Sequence, residues 1–525
     1  MDNFSQMSLF DGNQKFFIKK PIRLISMFSG YDSQELALKY CGIKYEPWRT
    51  CEWAVKSIQA LKDMHCMNDN TDYSKDHSDE FILNRLSKWG ISANYNEPMT
   101  KDQIKRLGTT KQRQIYNNIK ATHNLVNIQQ VKGTDLGIIE TDKYDYLLTY
   151  SFPCQDLSMA GKRQGMAKGD GTRSGMLWEV ERILDECREL GSLPQLLLME
   201  NVPEVIGTNN IKHFAKWLEK LESIGYKCYW KVINAKDYGV PQNRERCFMI
   251  SILGDYYYDF PSKVPLKYKL KSFLEQNVDE KFYLSDKMKE YCLKDKSQTT
   301  KYDRKGAFLN SLKNTNEKGI AVSITTKSGT IAIDNFVLED GVDLVDYSKS
   351  ENFLKGKSRI MDNKQISPTI LTKDKFGVLE KNLKQQLCND LIKSGKVKDG
   401  DFIRHSYSSS RMKNFYTSNR ENPNCSPTLD TRCDCLGVVQ DLRIRKLTPK
   451  ECFRLMGVKD ADFEKVAKNQ SNASLYHLAG DSIVVEVLCA IFGQMIEDFN
   501  FHNVIEDFYN ETRNKGDTLN GNQEE

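Results

Sequence analysis

Short apolar runs that alternate with helical segments are the feature that most restricts how this 525-residue chain can fold. Four such runs end in polar or glycine-containing turns, and they span residues 22–28, 146–150, 196–199 and 247–252. The intervening segments include stretches with the apolar spacing of helices. Strands separated by helices form a mostly parallel sheet with helices on both faces. The sequence therefore predicts a doubly wound α/β domain.

Changes in composition and periodicity divide the chain into further segments. The alternating pattern is interrupted by a polar stretch with short helical pieces, which we interpret as an insertion. It then gives way to short β-like runs separated by polar turns, before helical character returns. The predicted segments are a flexible leader (1–20), the α/β domain (21–255) with its insertion (about 60–127), a smaller β-rich domain (256–442), a helical segment that returns to the α/β domain (443–505) and a disordered tail (506–525).

Composition excludes several classes of protein. A chain with 39% hydrophobic and 28% charged residues is neither collagen-like nor largely disordered. The sequence has no run of 18 apolar residues and does not begin like a signal peptide, so we expect a cytoplasmic protein that neither spans a membrane nor is secreted. Its 14 cysteines are scattered without a CxxC pair, which indicates reduced thiols and no metal site. A net charge of +5 is too weak to name a nucleic-acid partner.

Candidate ligand-binding residues follow the first predicted strand. It ends in the turn 28–32 (FSGYD), and such turns at the carboxyl ends of strands are where doubly wound sheets bind nucleotide-like ligands. Glu52, about 20 residues further on, can accept hydrogen bonds from ribose hydroxyls, and Trp53 can stack on a purine. The turn lacks a complete GxGxxG, and a surface glutamate beside a core tryptophan is equally compatible with this segment.

Candidate catalytic residues lie next to the later strands. Cys154 follows strand 146–150, where a thiolate nucleophile is well placed, although most lone cysteines are buried apolar residues. Glu200 follows strand 196–199 and would face the same crevice, unless it belongs to a capping pair. Arg244 and Arg246 precede the strand 247–252 on one side of an extended segment. They face either solvent or an anionic or carbonyl group in the crevice.

The order of these segments resembles the DNA (cytosine-5)-methyltransferase family of bacteria and phages. The shared order is the Phe-x-Gly turn, Glu-Trp, Pro-Cys-Gln, Glu-Asn-Val and Gln-x-Arg-x-Arg. It continues into 445–457 (RKLTPKECFRLMG) and 479–483 (AGDSI), so it covers most of 22–254 and 443–496. The resemblance implies a Rossmann-like methyltransferase domain that uses S-adenosylmethionine, a β-rich target-recognition domain and DNA (cytosine-5-)-methyltransferase activity on double-stranded DNA.

The same resemblance assigns roles to individual residues. Cys154 would add to C6 of a flipped-out cytosine, and Glu200 would donate a proton at N3 of that ring. Arg244 and Arg246 would bind the cytosine ring and the neighbouring backbone. S-adenosylmethionine would donate the methyl group, with no metal. The residues assigned to this cofactor are Phe28, Ser29, Gly30, Tyr31, Glu52, Trp53, Asp135, Leu136, Pro153 and Ser482.

Within that set, the resemblance implies that Phe28 and Trp53 flank the adenine and that Glu52 holds the ribose. Asp135 would contact the adenine amino group, although the insertion lengthens the gap that precedes it. The loop 155–173, rich in glycine and cations, would close over DNA and substrate. A departure from the family pattern is Asp481, which stands where asparagine is usual.

Two other functions remain open alongside this one. The first is a tRNA cytosine-5 methyltransferase of the same fold, against which the large, lysine-rich recognition region argues. The second is a DNA-binding module without catalysis, against which the intact Cys154, Glu200, Arg244 and Arg246 argue.

Partners other than DNA are suggested by weaker features. The segment Gln6–Phe10 (QMSLF) resembles the short peptide by which bacterial replication and repair proteins dock on the sliding clamp, and the alternative is a leader that packs on the catalytic domain. The family resemblance also allows a cognate restriction endonuclease, and we expect a monomer. Residues 255–440 hold 32 Lys and Arg against 25 Asp and Glu, so we expect the attraction to phosphates to come mainly from this region and the loop 155–173.

Overall fold

The computed structural model describes residues 14–153, 173–268, 270–275, 277–283 and 447–512, and short strands between 321 and 446. The chain divides into two compact units, one formed by 1–268 with 449–525 and the other by 269–448. Three features singled out in the sequence lie outside the described residues: Gln6–Phe10, Cys154 and most of the loop 155–173.

A six-stranded sheet forms the centre of the first unit. The strands of this unit are β1 (Gln14–Lys15), β2 (Ile22–Met27), β3 (Tyr45–Cys51), β4 (Asp145–Tyr150), β5 (Leu196–Asn201), β6 (Tyr226–Asn234), β7 (Gln242–Asn243), β8 (Glu245–Leu253) and β9 (Tyr256–Tyr257). The sheet order is β3-β2-β4-β5-β8-β6. The first four are parallel, and β8 is antiparallel to both its neighbours. Strands β2, β4 and β5 are buried at every position, as strands covered on both faces are. The predicted α/β fold is confirmed.

Helices of this unit cover the sheet and form the insertion. They are α1 (Ser33–Tyr40), α2 (Val55–His65), α3 (Asp79–Trp89), α4 (Lys101–Arg106), α5 (Thr109–Ala121), α6 (Leu177–Glu189), α7 (Ile211–Ser223), α8 (Pro449–Arg454), α9 (Asp460–Ala467), α10 (Asn472–Asp481), α11 (Val485–Gly493) and α12 (Phe501–Thr512). Buried side chains of α6 and α7, such as Ile183 and Trp217, pack against β4 and β5. Among the described residues one stretch, Asn472–Gly493, is long and apolar enough to cross a membrane, and 83% of its most apolar window is buried within the fold.

The insertion is a small helical layer with a core of its own. The predicted segment, about 60–127, contains the second half of α2 and all of α3, α4 and α5. The buried side chains of the layer are Ile58, Ile82, Leu86, Ile91, Ile104, Ile115, Tyr116, Ile119 and Val126. Local sequence sets its helix ends, because Thr100 and Gln103 form a capping box at the start of α4 and Gly90 ends α3 in the left-handed conformation.

Both predicted terminal segments extend too far into the folded unit. Part of the predicted leader is folded, since β1 pairs in parallel with β9 in a two-stranded sheet and Phe16 is buried. The sequence predicts a disordered tail from residue 506, whereas α12 continues to Thr512. Phe508 on that helix is buried, and the ring of Tyr509 stacks on Tyr268 with 3.4 Å between the ring centroids. Tertiary contacts thus hold a polar segment in a helix.

The second unit contains short antiparallel pairings in its described part. Its strands are β10 (Ala321–Val322), β11 (Phe336–Glu339), β12 (Leu344–Tyr347), β13 (Ile360–Met361), β14 (Lys375–Val378), β15 (Ile403–Ser406), β16 (Asn414–Thr417), β17 (Leu436–Gly437) and β18 (Arg443–Lys446). Strand β11 pairs with β18, and two three-stranded sheets have the orders β13-β12-β14 and β16-β15-β17.

Candidate active site

The carboxyl ends of four parallel strands meet at one edge of the central sheet. Phe28 follows β2, and Glu52 follows β3. Pro153 lies just beyond β4, and Glu200 is the last residue but one of β5. Strand β8 runs in the opposite direction, so its amino end brings Arg246 to the same edge. Crevices at such an edge are where open α/β sheets bind their ligands.

The turn after β2 is shaped by left-handed backbone conformations. Phe28 and Gly30 both have φ of +57°, and the Phe28 N–H donates to the carbonyl of Cys51 at 2.9 Å. The Gly30 N–H donates to Oε2 of Glu52 at 3.1 Å. A Cβ at Gly30 would meet no heavy atom within 4 Å, so the positive φ, and not crowding, favours glycine there. The turn thus leaves open space beside the Glu52 carboxylate.

Asp32 closes this turn and starts helix α1. Its φ is +60°, and its Oδ1 accepts hydrogen bonds from the Glu35 N–H at 3.2 Å and the Ser26 hydroxyl at 3.0 Å. The carboxyl is buried, and burial raises its pKa to about 7. Asp32 is therefore a helix cap that fixes the end of the turn.

Glu52 is the buried acidic group of the crevice. Besides the bond from Gly30, its Oε1 accepts from the Ala54 N–H at 2.7 Å, and burial raises its pKa to about 7. Nearby, the Ser29 hydroxyl is buried without a hydrogen-bond partner among the described residues. A carboxyl and an unpartnered hydroxyl beside an open turn suit a ligand with its own hydroxyl and amino groups, so these residues fit the nucleoside part of S-adenosylmethionine.

Asn124, which the sequence analysis missed, holds the backbone of Glu52 in place. Its Oδ1 accepts from the Glu52 N–H at 3.0 Å, and its Nδ2 donates to the Glu52 carbonyl at 2.9 Å. A bridge with Thr50 adds this residue to the sheet edge. The sequence offers one signal for this role: Asn124 stands directly before the apolar pair Leu125 and Val126, at the end of the predicted insertion.

Asp135 lies in different surroundings. Its side chain is exposed, and its Oδ2 accepts from the N–H of Lys132, so the carboxylate caps its own short 3₁₀ helix. Leu136 is buried, and its carbonyl accepts from Nε1 of Trp48 at 2.8 Å. The contacts of this pair are thus with its own helix and with β3, whereas those of Glu52 are with Asn124 and the turn.

Ser482 connects two parts of the site. The Tyr31 hydroxyl donates to its Oγ at 2.7 Å, and the Tyr31 ring stacks on Phe453 with centroids 5.3 Å apart. Nη2 of Arg244 donates to the carbonyls of Gly480 at 3.0 Å and Ser482 at 2.8 Å. Arg244, for which the resemblance implies contacts with the cytosine ring and the neighbouring backbone, is buried and is held by the backbone at the end of α10. It joins the C-terminal segment to the strand region before β8.

Glu200 and Arg246 face each other at the other end of the edge. Nε of Arg246 lies 3.1 Å from Oε1 of Glu200, and the two side chains are 20% and 10% exposed. Asn201 donates through Nδ2 to the carbonyl of Phe152 at 3.0 Å. This bond ties the segment that leads to Cys154 to the strand that carries Glu200.

Comparison with known proteins assigns the chain to a family. The model of the C-5 cytosine-specific DNA methylase family matches residues 104–497. Type II methyltransferase M2.ScrFI of Lactococcus lactis subsp. cremoris is 29% identical over 91% of this chain and 99% of its own length. The orphan methyltransferase M.SssI of Spiroplasma monobiae is 33% identical over 66% of this chain and 90% of its own length. The orphan methyltransferase M.SPRI of Bacillus phage SPR is 28% identical over 72% and 89%, respectively. The chain belongs to the C-5 cytosine-specific DNA methylase family and is a DNA methyltransferase.

Proposed function

We propose that this enzyme transfers a methyl group from S-adenosylmethionine to C5 of a flipped-out cytosine in duplex DNA, through a covalent bond between Cys154 and C6. The observation that carries the proposal is the pairing of Glu200 with Arg246 at the end of the strand next to β4, because the chain continues from β4 through residues 151–153 to Cys154. An acid and a cation at the end of the strand next to the one that leads towards Cys154 suit activation of a pyrimidine ring.

The chemistry explains why these residue types are needed. Cytosine C5 is a weak nucleophile, and addition of the Cys154 thiolate to C6 gives it the character of an enamine carbon. Electron density moves to N3, where Glu200 donates a proton. C5 then takes the methyl group. Loss of the C5 proton to a base expels the thiolate, and the proton at N3 returns to Glu200.

Two further parts of the machinery are proposed from the same geometry. Arg246, 3.1 Å from Glu200, holds that side chain in position for the ring and lies where it can bind the base or its backbone. S-adenosylmethionine supplies an electrophilic methyl group when bound. Phe28, Glu52, Trp53 and Ser482 are the residues we expect to hold it. The base must leave the duplex to reach this buried edge.

The experiment that tests the proposal follows methyl transfer from labelled S-adenosylmethionine. We expect label on duplex DNA with the wild-type chain and with Cys66→Ser, a change at a half-buried cysteine outside the site. Cys154→Ser should transfer none. A duplex carrying 5-fluorocytosine has no C5 proton to lose, so it should trap a covalent adduct that the serine variant does not form. Label on tRNA and not on DNA, or an adduct with Cys154→Ser, would contradict the proposal.

A further inference from the structure

A loop of the insertion lies against the cofactor crevice. The loop 92–98 joins α3 to α4, and Ser92 lies next to Ala54 in a parallel bridge. The Ser92 N–H donates to the carbonyl of Trp53 at 2.8 Å, and its carbonyl accepts from the Val55 N–H at 2.9 Å. The insertion therefore extends the sheet edge at the residues that follow Glu52.

Tyr95 in this loop is held in an unusual backbone conformation. Its φ of +63° lies in the left-handed region, which residues other than glycine rarely adopt. The Tyr95 N–H donates to Oγ of Ser92 at 3.1 Å, and that hydroxyl donates to the carbonyl of Glu97 at 2.7 Å. The Tyr95 hydroxyl lies 3.1 Å from Oγ of Ser57 on α2. Residues held in such strained conformations cluster at binding sites.

The ring of Tyr95 faces the C-terminal segment and the acids of the crevice. It stacks on His477 of α10 with 4.1 Å between centroids and 13° between planes. Nδ1 of His477 lies 3.0 Å from Oδ2 of Asp481, one helical turn later. Burial raises the pKa of Tyr95, and the Glu52 and Asp481 carboxylates raise it further. One tyrosine, one histidine and two carboxylates thus share a single neighbourhood.

We propose that Tyr95 and His477 form an aromatic wall of the cofactor crevice, so that the insertion completes the binding site for S-adenosylmethionine. The inference rests on the proposed function, because that function defines the ligand. The ligand carries a cationic amino group and a sulfonium, and aromatic faces and carboxylates both attract cations. The Asp481 carboxylate, 3.0 Å from Nδ1 of His477 and 47% exposed, adds a negative charge beside the wall, while Tyr95 shields the side of the crevice next to Glu52.

The test measures binding of the product S-adenosylhomocysteine by calorimetry, together with the KM and kcat for S-adenosylmethionine. Tyr95→Ala should weaken product binding and raise KM by about 5- to 10-fold, the size expected when an aromatic contact is lost. The kcat at saturating cofactor should change by less than about 2-fold. Tyr95→Phe keeps the ring and should retain most of the affinity. His477→Ala should resemble Tyr95→Ala, and the two losses should not add, since the rings stack.

Tyr73→Ala is the matched control within the insertion. Tyr73 is 37% exposed and its hydroxyl donates to exposed Asp69, so this change should leave product binding unaltered. Folding of each variant is checked by thermal unfolding, and His477→Ala tests the same wall from another helix if Tyr95→Ala does not fold. If Tyr95→Ala and His477→Ala both fold and bind S-adenosylhomocysteine with wild-type affinity, the proposal of an aromatic wall is wrong. Absence of cofactor binding by the wild-type chain would instead overturn the proposed function.

Discussion

Buried charges hold the turn 28–32 in place. Nε2 of His65 donates to the carbonyl of Tyr31 at 2.7 Å, and its Nδ1 lies 3.2 Å from Oε1 of Glu35. Burial alone would lower the pKa of His65, but the Glu35 carboxylate and its neighbours raise it to about 9. His65 is therefore cationic at neutral pH and compensates the buried acids at the start of α1. This ion pair and the Asp32 cap hold the turn 28–32 in place.

Glu52 should make cofactor binding depend on pH. Since burial raises its pKa to about 7, this carboxyl is mostly neutral at pH 6 and mostly ionised at pH 8. The ionised form accepts stronger hydrogen bonds from ribose hydroxyls. We expect the Kd of S-adenosylhomocysteine to fall by up to about 10-fold between these values, measured by calorimetry. Because the folded state holds this proton more tightly, the same raised pKa lowers the free energy of unfolding as the pH rises from about 4.5 to about 7.

Two variants separate Glu52 from the other titrating groups. Glu52→Gln should bind more weakly at pH 8 and lose most of the pH dependence, whereas Glu219→Gln, at an exposed position on α7, should keep the wild-type profile. A profile that survives in Glu52→Gln would assign the titration to Asp32, whose pKa is also raised to about 7, and refute the expectation for Glu52.

At the scale of elements, α12 is held by packing that its own sequence does not announce. Phe508 is buried on this helix, so Phe508→Ala should lower the free energy of unfolding by about 3 kcal/mol. Its exposed neighbour provides the control, since Asp507→Ala should change that free energy by less than about 0.5 kcal/mol. Denaturant unfolding measures both. Equal stabilities of the two variants would mean that α12 does not pack as described.

The elements differ in how far their sequences reveal them. Strands β2, β4 and β5 could be predicted because each is built around a short, mostly apolar run, as expected of strands that are buried at every position. Helix α12 could not be predicted, because its polar residues outnumber its buried apolar ones. Its contacts, such as that between Tyr509 and Tyr268, also join distant parts of the chain. The insertion stays a prediction, and the bonds of Ser92 with Trp53 and Val55 depend on a loop conformation with no sequence signature.

At the scale of the whole molecule, the strand ends made much of the site predictable. Parallel strands place their carboxyl ends together, so Glu52 and Glu200 could be expected at one edge from their positions after apolar runs. The sequence could not show which polar side chains contact this edge of the sheet and which contact their own segment. Asn124 contacts Glu52 and Asp135 caps its own helix, and the difference depends on the path of the chain through the insertion.

The uneven charge of the chain leads to a prediction for DNA binding. Residues 255–440 carry 32 Lys and Arg against 25 Asp and Glu, whereas the remainder carries 44 against 46. Contacts with phosphates release counterions, and about three of them would weaken DNA binding by about 40-fold as salt rises from 50 to 200 mM. Fluorescence anisotropy of a labelled duplex measures this loss. Binding of S-adenosylhomocysteine should change by less than about 2-fold over the same range, because that ligand releases few ions, so it serves as the internal control. DNA affinity that is independent of salt would contradict a basic recognition region.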